Sequence, residues 1–404
     1  MTINLNIGMD QFDYDLPDKN IAKYPLEARD TSKLLIYNKS EISQDIFANV
    51  ATHLPNDSLI VFNNTKVISA RLFFHKTSGA QIEVFCLEPN DPKEFGLAFS
   101  TTKTCRWNCM VGNLKKWKSG QVFMSLEIEN ETIEVRATLI ERLETYNIVE
   151  FEWNTECSFG EILDIAGKIP IPPYLNRESE EIDKTVYQTV YSSIKGSVAA
   201  PTAGLHFTEE VFNSLFEKNI QREEITLHVG AGTFKPVSSE TIQDHLMHNE
   251  FFTVPRSTLS KLIDKIETIT AVGTTTVRTL ESLYYIGLQI LNGTTPKNNH
   301  FIVTQWEPYK NKDNTSAIDA LKAIENYLLT NKIESLSAST SIIIVPGYTH
   351  RIVKQLVTNF HQPRSTLLLL LASFVGSDWK IMYQTALKND FRFLSYGDSC
   401  LIIP

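Results

Sequence analysis

Between residues 72 and 155 of this 404-residue chain, apolar side chains recur at every second position. The runs are Ile82/Val84/Cys86, Val122/Met124/Leu126/Ile128, Ile133/Val135/Ala137/Leu139 and Val149/Phe151/Trp153. A period of two puts one face of an extended strand into a core and the other into water. Short strands at this spacing, joined by polar turns such as Glu129-Asn130-Glu131, predict a small barrel or sandwich. After residue 200 the pattern changes. Leu259, Leu262, Ile263 and Ile266 mark a helix face, and Ile269 to Val272 reads as a strand breaking into a helix that carries Val277, Leu280 and Tyr284. The expected fold is therefore an α/β core domain, residues 1–71 and 156–404, with an inserted small antiparallel β-barrel domain over 72–155. A chain of this length accommodates both.

Local signals place the elements. Ser158-Phe-Gly-Glu161 reads as a capping box opening a short helix that stops near Gly167. Ile169-Pro-Ile-Pro-Pro-Tyr174 is held extended by its prolines. Thr208 caps a helix with Glu209 and Glu210 in its first turn. Ser316 to Asp319 caps another helix, with Ile318, Leu321, Ile324 and Leu328 on its apolar side. Ser341 to Val345 is expected as an apolar strand ending at Pro346-Gly347. Arg364-Ser-Thr366 leads into a leucine-rich helix. The polar stretches Asn292 to Asn299 and Lys310 to Asn314 read as surface loops.

Charge narrows the partners. The net charge is −9, yet Phe95 to Leu126 holds five cations (Lys103, Arg106, Lys115, Lys116, Lys118) and no carboxylate, interleaved with Trp107 and Trp117. Such a stretch suits a nucleic-acid backbone and its bases; it also suits a solvated loop with incidental lysines. Five cysteines without a C-x-x-C pair fit reduced thiols. The longest apolar run, Leu367 to Gly376, is about half of a bilayer span. Met1 to Asn6 has neither basic flank nor apolar signal core. A cytoplasmic protein without membrane association is expected.

Five of nine histidines fall in four loops: His206, His228, the pair His245/His248, and His361. The first two lie in Gly196-Ser-Val-Ala-Ala-Pro-Thr-Ala-Gly-Leu-His-Phe207 and Thr226-Leu-His-Val-Gly-Ala-Gly-Thr-Phe-Lys-Pro-Val237. There Thr202, Gly204, Gly230, Gly232 and Thr233 allow close approach to a ligand, while the histidines titrate near neutrality. The alternative is that the glycines serve turns and the histidines fill the core. Acid–base work around a bound polar ligand fits these loops better than a zinc site on His228, His245 and His248, which lacks H-E-x-x-H spacing. It also fits better than a hydrolytic triad, which lacks its G-x-S-x-G elbow. Gly273-Thr-Thr-Thr-Val-Arg278, between strand and helix, reads as an anion seat made by Gly273, Thr274, Thr275, Thr276 and Arg278, or as an ordinary threonine-capped helix. Asn63, Asn64 and Thr65 either contact a base or ribose, or satisfy their own turn.

Through these motifs the chain closely resembles the S-adenosylmethionine:tRNA ribosyltransferase-isomerases of queuosine biosynthesis. The resemblance runs from Phe12-Asp-Tyr-Asp-Leu-Pro17 to Phe393-Leu-Ser-Tyr-Gly-Asp398. It takes in Ile21 to Pro25, Asn63 to Thr65, Pro170 to Tyr174, Tyr187-Gln-Thr-Val-Tyr-Ser192, both histidine loops, His245 to Glu250, Ala271 to Ser282 and Thr358 to Thr366.

The resemblance implies transfer and isomerisation of the ribosyl group of S-adenosylmethionine onto 7-aminomethyl-7-deazaguanine at the tRNA wobble position. The products are epoxyqueuosine-tRNA, adenine and methionine. It implies no cofactor, since S-adenosylmethionine is a co-substrate, and the expected state is a monomer that grips the tRNA anticodon arm. The expected roles follow: His228 as base, His206 as acid, His361 as a third proton-transfer group, and Arg278 with Thr274 to Thr276 holding the methionine carboxylate or a tRNA phosphate. Lys103, Arg106, Lys115, Lys116, Trp117 and Lys118 would hold the RNA. The chain departs from the family at Lys66 and Ser69, where arginine and proline are usual, and at Gln362 and Arg364, where leucine and lysine are usual. An extra loop and helix at about 290–338 also look longer than the family norm. A diverged branch with another acceptor base, a metal-dependent hydrolase and a non-catalytic RNA-binding module are the competing readings.

Overall fold

Leu59-Ile-Val-Phe-Asn63 is buried at every position, the pattern of a strand covered on both faces, and it stands near the middle of a ten-stranded sheet. The computed structural model describes residues 7–128, 131–230, 237, 239–296, 300–310 and 313–404. The chain opens with β1 (Lys33–Asn38), β2 (Glu41–Ile46), β3 (Leu59–Asn63) and β4 (Thr65–Val67). The next strands are β5 (Arg71–His75), β6 (Gln81–Asp91), β7 (Thr104–Gly112), β8 (Gln121–Ile128), β9 (Glu131–Arg142) and β10 (Asn147–Trp153), with helix α1 (Phe95–Ser100) between β6 and β7. After α2 (Phe159–Ala166) and α3 (Asp183–Val186) come β11 (Ile194–Ser197), α4 (Glu209–Glu217), β12 (Gln221–Leu227), β13 (Glu250–Pro255), α5 (Arg256–Asp264), β14 (Ile269–Val272) and α6 (Thr274–Leu291). The chain ends with β15 (His300–Val303), α7 (Glu307–Lys310), α8 (Ala317–Asn331), β16 (Ser335–Thr340), β17 (Gln355–Asn359), α9 (Thr366–Val375), α10 (Trp379–Lys388) and β18 (Ser399–Ile403).

Strands β5 to β10 close into a barrel in the order β10-β7-β6-β5-β8-β9, every pair antiparallel. The alternation behaves as expected: β10 is buried at every second residue. The barrel core gathers Trp107, Trp117, Phe151 and Phe159 and takes in Ile68, Ala70, Val198 and helix α2. The capping box at Ser158/Glu161 forms. Gly167 ends that helix where a Cβ would lie 1.8 Å from the Ser69 carbonyl oxygen, so only glycine fits this close approach.

The large sheet runs β15-β16-β13-β12-β3-β14-β17-β18-β1-β2. Its centre, β12-β3-β14-β17, is parallel, which makes this an α/β core. One expected strand is displaced. The ladder falls on β16, and Ile342 to Val345, although buried, are outside any strand. The Ser341 and Ile343 N–H groups still reach the Val303 and Gln305 carbonyls, but side chains take others: Thr340 Oγ1 accepts from the Ile342 N–H, and the Ile342 and Ile343 carbonyls accept from Arg278 Nε and the Tyr309 hydroxyl. An alternative partner for a buried backbone group removes the need for a ladder.

Residues 290–338 contribute β15, the short helix α7 and most of β16 as well as the expected helix α8. β15 pairs parallel with β16 at the sheet edge, and α8 packs on α6. At their crossing a Cβ on Gly287 would lie 2.3 Å from the Ala320 carbonyl oxygen. Gly287→Ala should therefore destabilise the protein by about 2–4 kcal/mol, because overpacking outweighs alanine's better helix propensity. A urea-unfolding midpoint at or above wild type would refute that.

Thr366–Lys388 is long and apolar enough, by length and composition, to cross a membrane. Here it bends at Gly376 (φ 59°), and Leu368 to Ala372 are buried in the α/β core.

Candidate active site

Open α/β sheets keep ligands outside the carboxyl ends of their parallel strands, and the main cleft lies there. Gly273 to Thr275 after β14, Thr358 to Gln362 at the end of β17 and just beyond it, Ala199 to Ala203, and His245, Met247, His248 and Glu250 leading into β13 line it, together with Ser365 at the start of α9. The empty space between them, solvent at the mouth included, is about 1130 Å³.

One wall is a buried ion pair. Arg278 donates through Nη1 to Glu250 at 2.5 Å and through Nε to the Ile342 carbonyl; the two side chains are 8% and 3% exposed. Its Nη2 is buried and has no partner among the described residues. Gly273 (φ 88°) turns the chain into α6, a conformation that favours glycine. Thr274 and Thr275 line the cleft, whereas Thr276 Oγ1 donates back to the Val272 carbonyl and leaves the site.

The three expected histidines separate. His361 lines the cleft with Nε2 3.0 Å from Thr358 Oγ1; burial pushes its pKa down to about 3. His206 lies outside this lining, between Ser32 Oγ at Nδ1 and Asn359 Nδ2 at Nε2, and burial, aided by the nearby Arg392, pushes it down to about 3. His228 follows the strand alternation away from cleft-lining Val229. It stacks on Phe95 of the barrel with ring centroids 4.4 Å apart, over Gly196, and burial pushes it down to about 4. The trio His228, His245 and His248 is therefore not gathered, and no group of three His, Cys, Asp or Glu side chains is placed to hold a metal among the described residues.

A sequence profile described as queuosine biosynthesis protein matches residues 9–402. The chain belongs to the queuosine biosynthesis family. A relative from Trichlorobacter lovleyi, named S-adenosylmethionine:tRNA ribosyltransferase-isomerase, is 36% identical over 400 residues, covering 97% of this chain and 99% of its own. One of the same name from Aquifex aeolicus is 35% identical over 404 residues, with 98% and 99% covered. A crystal structure of an S-adenosylmethionine tRNA ribosyltransferase from Thermotoga maritima matches with 28% identity and a TM-score of 0.45, covering 97% of this chain and 99% of that one.

In this member of the queuosine biosynthesis family several expected contact residues serve the scaffold. Asn63 Nδ2 donates to the Leu227 carbonyl, and its Oδ1 accepts from the Leu227 and Thr65 N–H groups. Thr65 Oγ1 bonds Ser197 Oγ, and Asn64 bonds Glu224 and Thr226. These bonds tie β3 and β4 to β12 and β11, so the polar side chains serve the neighbouring strands. Gly204 sits where a Cβ would meet the Tyr191 hydroxyl at 1.8 Å, while a Cβ on Gly230 would meet nothing within 4 Å. Thr202 lines the cleft; Gly232 and Thr233 lie outside the described residues.

The basic stretch is divided between the two ends of β7. Lys103 and Arg106 stand at its start, where Arg106 pairs with Glu150. Lys115, Lys116 and Lys118 are exposed beyond its other end, roughly 30 Å of strand away. There Lys76 Nζ and Arg142 donate to the carbonyls of Lys116 and of Trp117 and Lys118, adding two cations to the cluster. Trp117 is fully buried in the barrel core, its Nε1 donating to the Gly120 carbonyl, so it offers no stacking face.

The expected site residues lack Tyr187 and Asn359, and Glu250, which the sequence offers only as a companion ligand to His245 and His248, braces Arg278 instead. The Tyr187 hydroxyl lies buried in the cleft wall near Ser395 and the Ala200 backbone without a well-formed hydrogen bond. Asn359 is buried with its Oδ1 unpaired among the described residues. All three fall inside the family motifs, but a buried glutamate or asparagine has no one-dimensional signature.

Proposed function

We propose that this chain transfers and isomerises the ribosyl group of S-adenosylmethionine onto 7-aminomethyl-7-deazaguanine at the wobble position of tRNA, releasing adenine and methionine and leaving epoxyqueuosine. The carrying observation is similarity to the named relatives over nearly the full length of both chains. S-adenosylmethionine is the co-substrate and occupies the cleft, and the enzyme acts as a cytoplasmic monomer without a cofactor.

The chemistry asks for proton transfer. A sulfonium acidifies the ribose C5′, whose proton a base removes; adenine leaves with a proton, and the acceptor amine loses one to attack. Each positioned group is worth about 10²–10⁴ in rate. His361 is the expected histidine that lines the cleft, and burial keeps it neutral at pH 7, so it begins as a proton acceptor. His245 lines the cleft as well, its pKa lowered by burial and by the neighbouring His248. The unpaired Arg278 Nη2, the Thr274 and Thr275 hydroxyls and the first amides of α6 hold the methionine carboxylate. Glu250 already neutralises Arg278, which suits a monoanion better than a phosphate.

The decisive experiment incubates the protein with S-adenosylmethionine and tRNA bearing 7-aminomethyl-7-deazaguanine, then analyses digested nucleosides by mass spectrometry. Epoxyqueuosine with released adenine and methionine is expected. Folded protein that binds S-adenosylmethionine but gives no product would redirect the search to another acceptor base.

The exposed Lys115, Lys116 and Lys118 grip the anticodon arm through its phosphates. Replacing all three by alanine should lower the slope of log affinity against log salt by about 2–3, at roughly 0.7–0.9 for each phosphate no longer neutralised. The KM for S-adenosylmethionine should stay unchanged. An unaltered salt slope would remove the barrel tip from the RNA path.

A further inference from the structure

The side-chain amide of Asn359 has one orientation open to it. Its Nδ2 faces three acceptors: the Leu394 carbonyl at 3.0 Å, His206 Nε2 at 3.3 Å and the Ser395 carbonyl at 3.4 Å. Flipping the amide would set Oδ1 against two carbonyl oxygens and a ring lone pair, so the nitrogen stays there and the oxygen points the other way. That Oδ1 is buried and has no partner among the described residues, yet Asn359 lines the cleft. Because His206 Nε2 must accept from Asn359, the ring proton lies on Nδ1 and meets Ser32 Oγ 2.9 Å away; burial keeps the ring neutral. Leu394 helps to pin the amide from φ 70°, a region that leucine rarely occupies and that persists where the surroundings enforce it. Four residues thus hold one unpaired acceptor against the cleft, and an acceptor left unpaired in a buried wall demands a donor from whatever binds.

We propose that Asn359 is a specificity-determining residue that reads an amino group of the bound co-substrate, and that His206 is the positioning residue that fixes its amide. The inference rests on S-adenosylmethionine occupying the cleft. That molecule offers two amines of the required chemistry, the α-amino group of its methionyl end and the exocyclic amine of its adenine. Asn359 ends β17 two residues beyond the pairing of Val272 with Val357, and it lines the same cleft as Thr274 and Thr275, where the carboxylate seat is proposed.

The test measures dissociation constants calorimetrically for S-adenosylmethionine, its analogue lacking the α-amino group, and its analogue carrying hypoxanthine in place of adenine. Wild type should bind one of the two analogues about 10- to 100-fold more weakly than the parent, the usual consequence of leaving a buried acceptor unpaired; which one tells which amine is read. Asn359→Ala should bind the parent and that analogue equally. His206→Gln, which can still accept from the amide nitrogen, should keep the discrimination, whereas His206→Leu should lose most of it. A merely structural role would weaken all three ligands alike and leave the ratio unchanged, which overturns the proposal. Wild type that binds all three equally overturns it without any variant having to fold. Wild type that fails to bind S-adenosylmethionine overturns the functional reading, and the inference with it.

Discussion

Arg278→Ala should lower turnover by about 10²–10³ and cost roughly 3–5 kcal/mol of stability, the range for removing one partner of a buried ion pair. The two losses have different origins. Stability falls because Glu250, 3% exposed, would be left charged with its 2.5 Å partner gone. Turnover falls because the substituted enzyme loses Nη2, the cationic donor left unpaired at the cleft, and a preorganised charged donor in a site of this kind is worth about 10²–10³ in rate. Adding Glu250→Gln separates them. The double variant removes the stranded charge and should recover most of the unfolding free energy, while S-adenosylmethionine affinity and turnover stay low. Urea unfolding and calorimetric titration of the single and double variants read the two effects independently. Recovery of turnover together with stability would mean that Arg278 only braces the wall between α6 and β13, and the carboxylate seat would have to lie elsewhere in the cleft.

The fold was legible where a single period dominates. Alternation at Val149/Phe151/Trp153 is a one-dimensional image of a half-buried strand, and β10 keeps it. The Ser158/Glu161 box and the Ser316 cap announce helix starts because capping is local chemistry within four residues. Ser341 to Val345 misled because its apolar run carries no mark of where the ladder ends. That is set by Thr340 Oγ1 and by partners about 35 to 65 residues away, Tyr309 and Arg278. The site divided along the same line. Gly273 with the first turns of α6 (Thr274, Thr275, Arg278) follows β14 and His361 follows β17, and the segments that leave neighbouring strand ends converge by topology. His206 and His228 share composition with those loops, yet alternation turns the His228 ring toward Phe95, and His206 is fixed one residue behind the wall it supports. Asn63 to Thr65 looked like ligand-reading residues because asparagine and threonine do the same hydrogen-bonding work for a neighbouring strand as for a base. Only the three-dimensional pairing with Leu227 and Ser197 decides which.

Acidification below pH 6.5 should unfold this protein through histidines rather than carboxylates. His206 and His361 are buried, and their folded-state pKa values lie at about 3, against about 6.5 in an unfolded chain. Above pH 6.5 neither state binds the proton and these groups impose no pH dependence. Below it the unfolded chain takes up protons that the folded one refuses, so stability falls with pH by about 1.4 kcal/mol per unit for each histidine until the folded value is reached. Between pH 6.5 and 5 the two together should remove about 4 kcal/mol, a large part of the 5–15 kcal/mol typical of a folded protein. Glu281 follows a different window. Burial alone would raise its pKa, but His350, whose Nδ1 stands 3.8 Å from the carboxylate, and hydrogen bonds from the Val353 and Arg351 amides hold it below the ordinary value. Its contribution is therefore intact above about pH 4.3 and is lost only as pH falls further, through its folded value. Urea midpoints at pH 7.5, 6.5, 5.5 and 5.0 should stay level over the first interval and then drop steadily; His228, lowered by burial to about 4, adds its own share of the drop, and His206→Asn should make the slope shallower by one histidine's share. A flat profile down to pH 5, with the loss beginning only near pH 4, would show that these histidines take up their protons in the folded state, which would free His361 to act as an acid as well as a base.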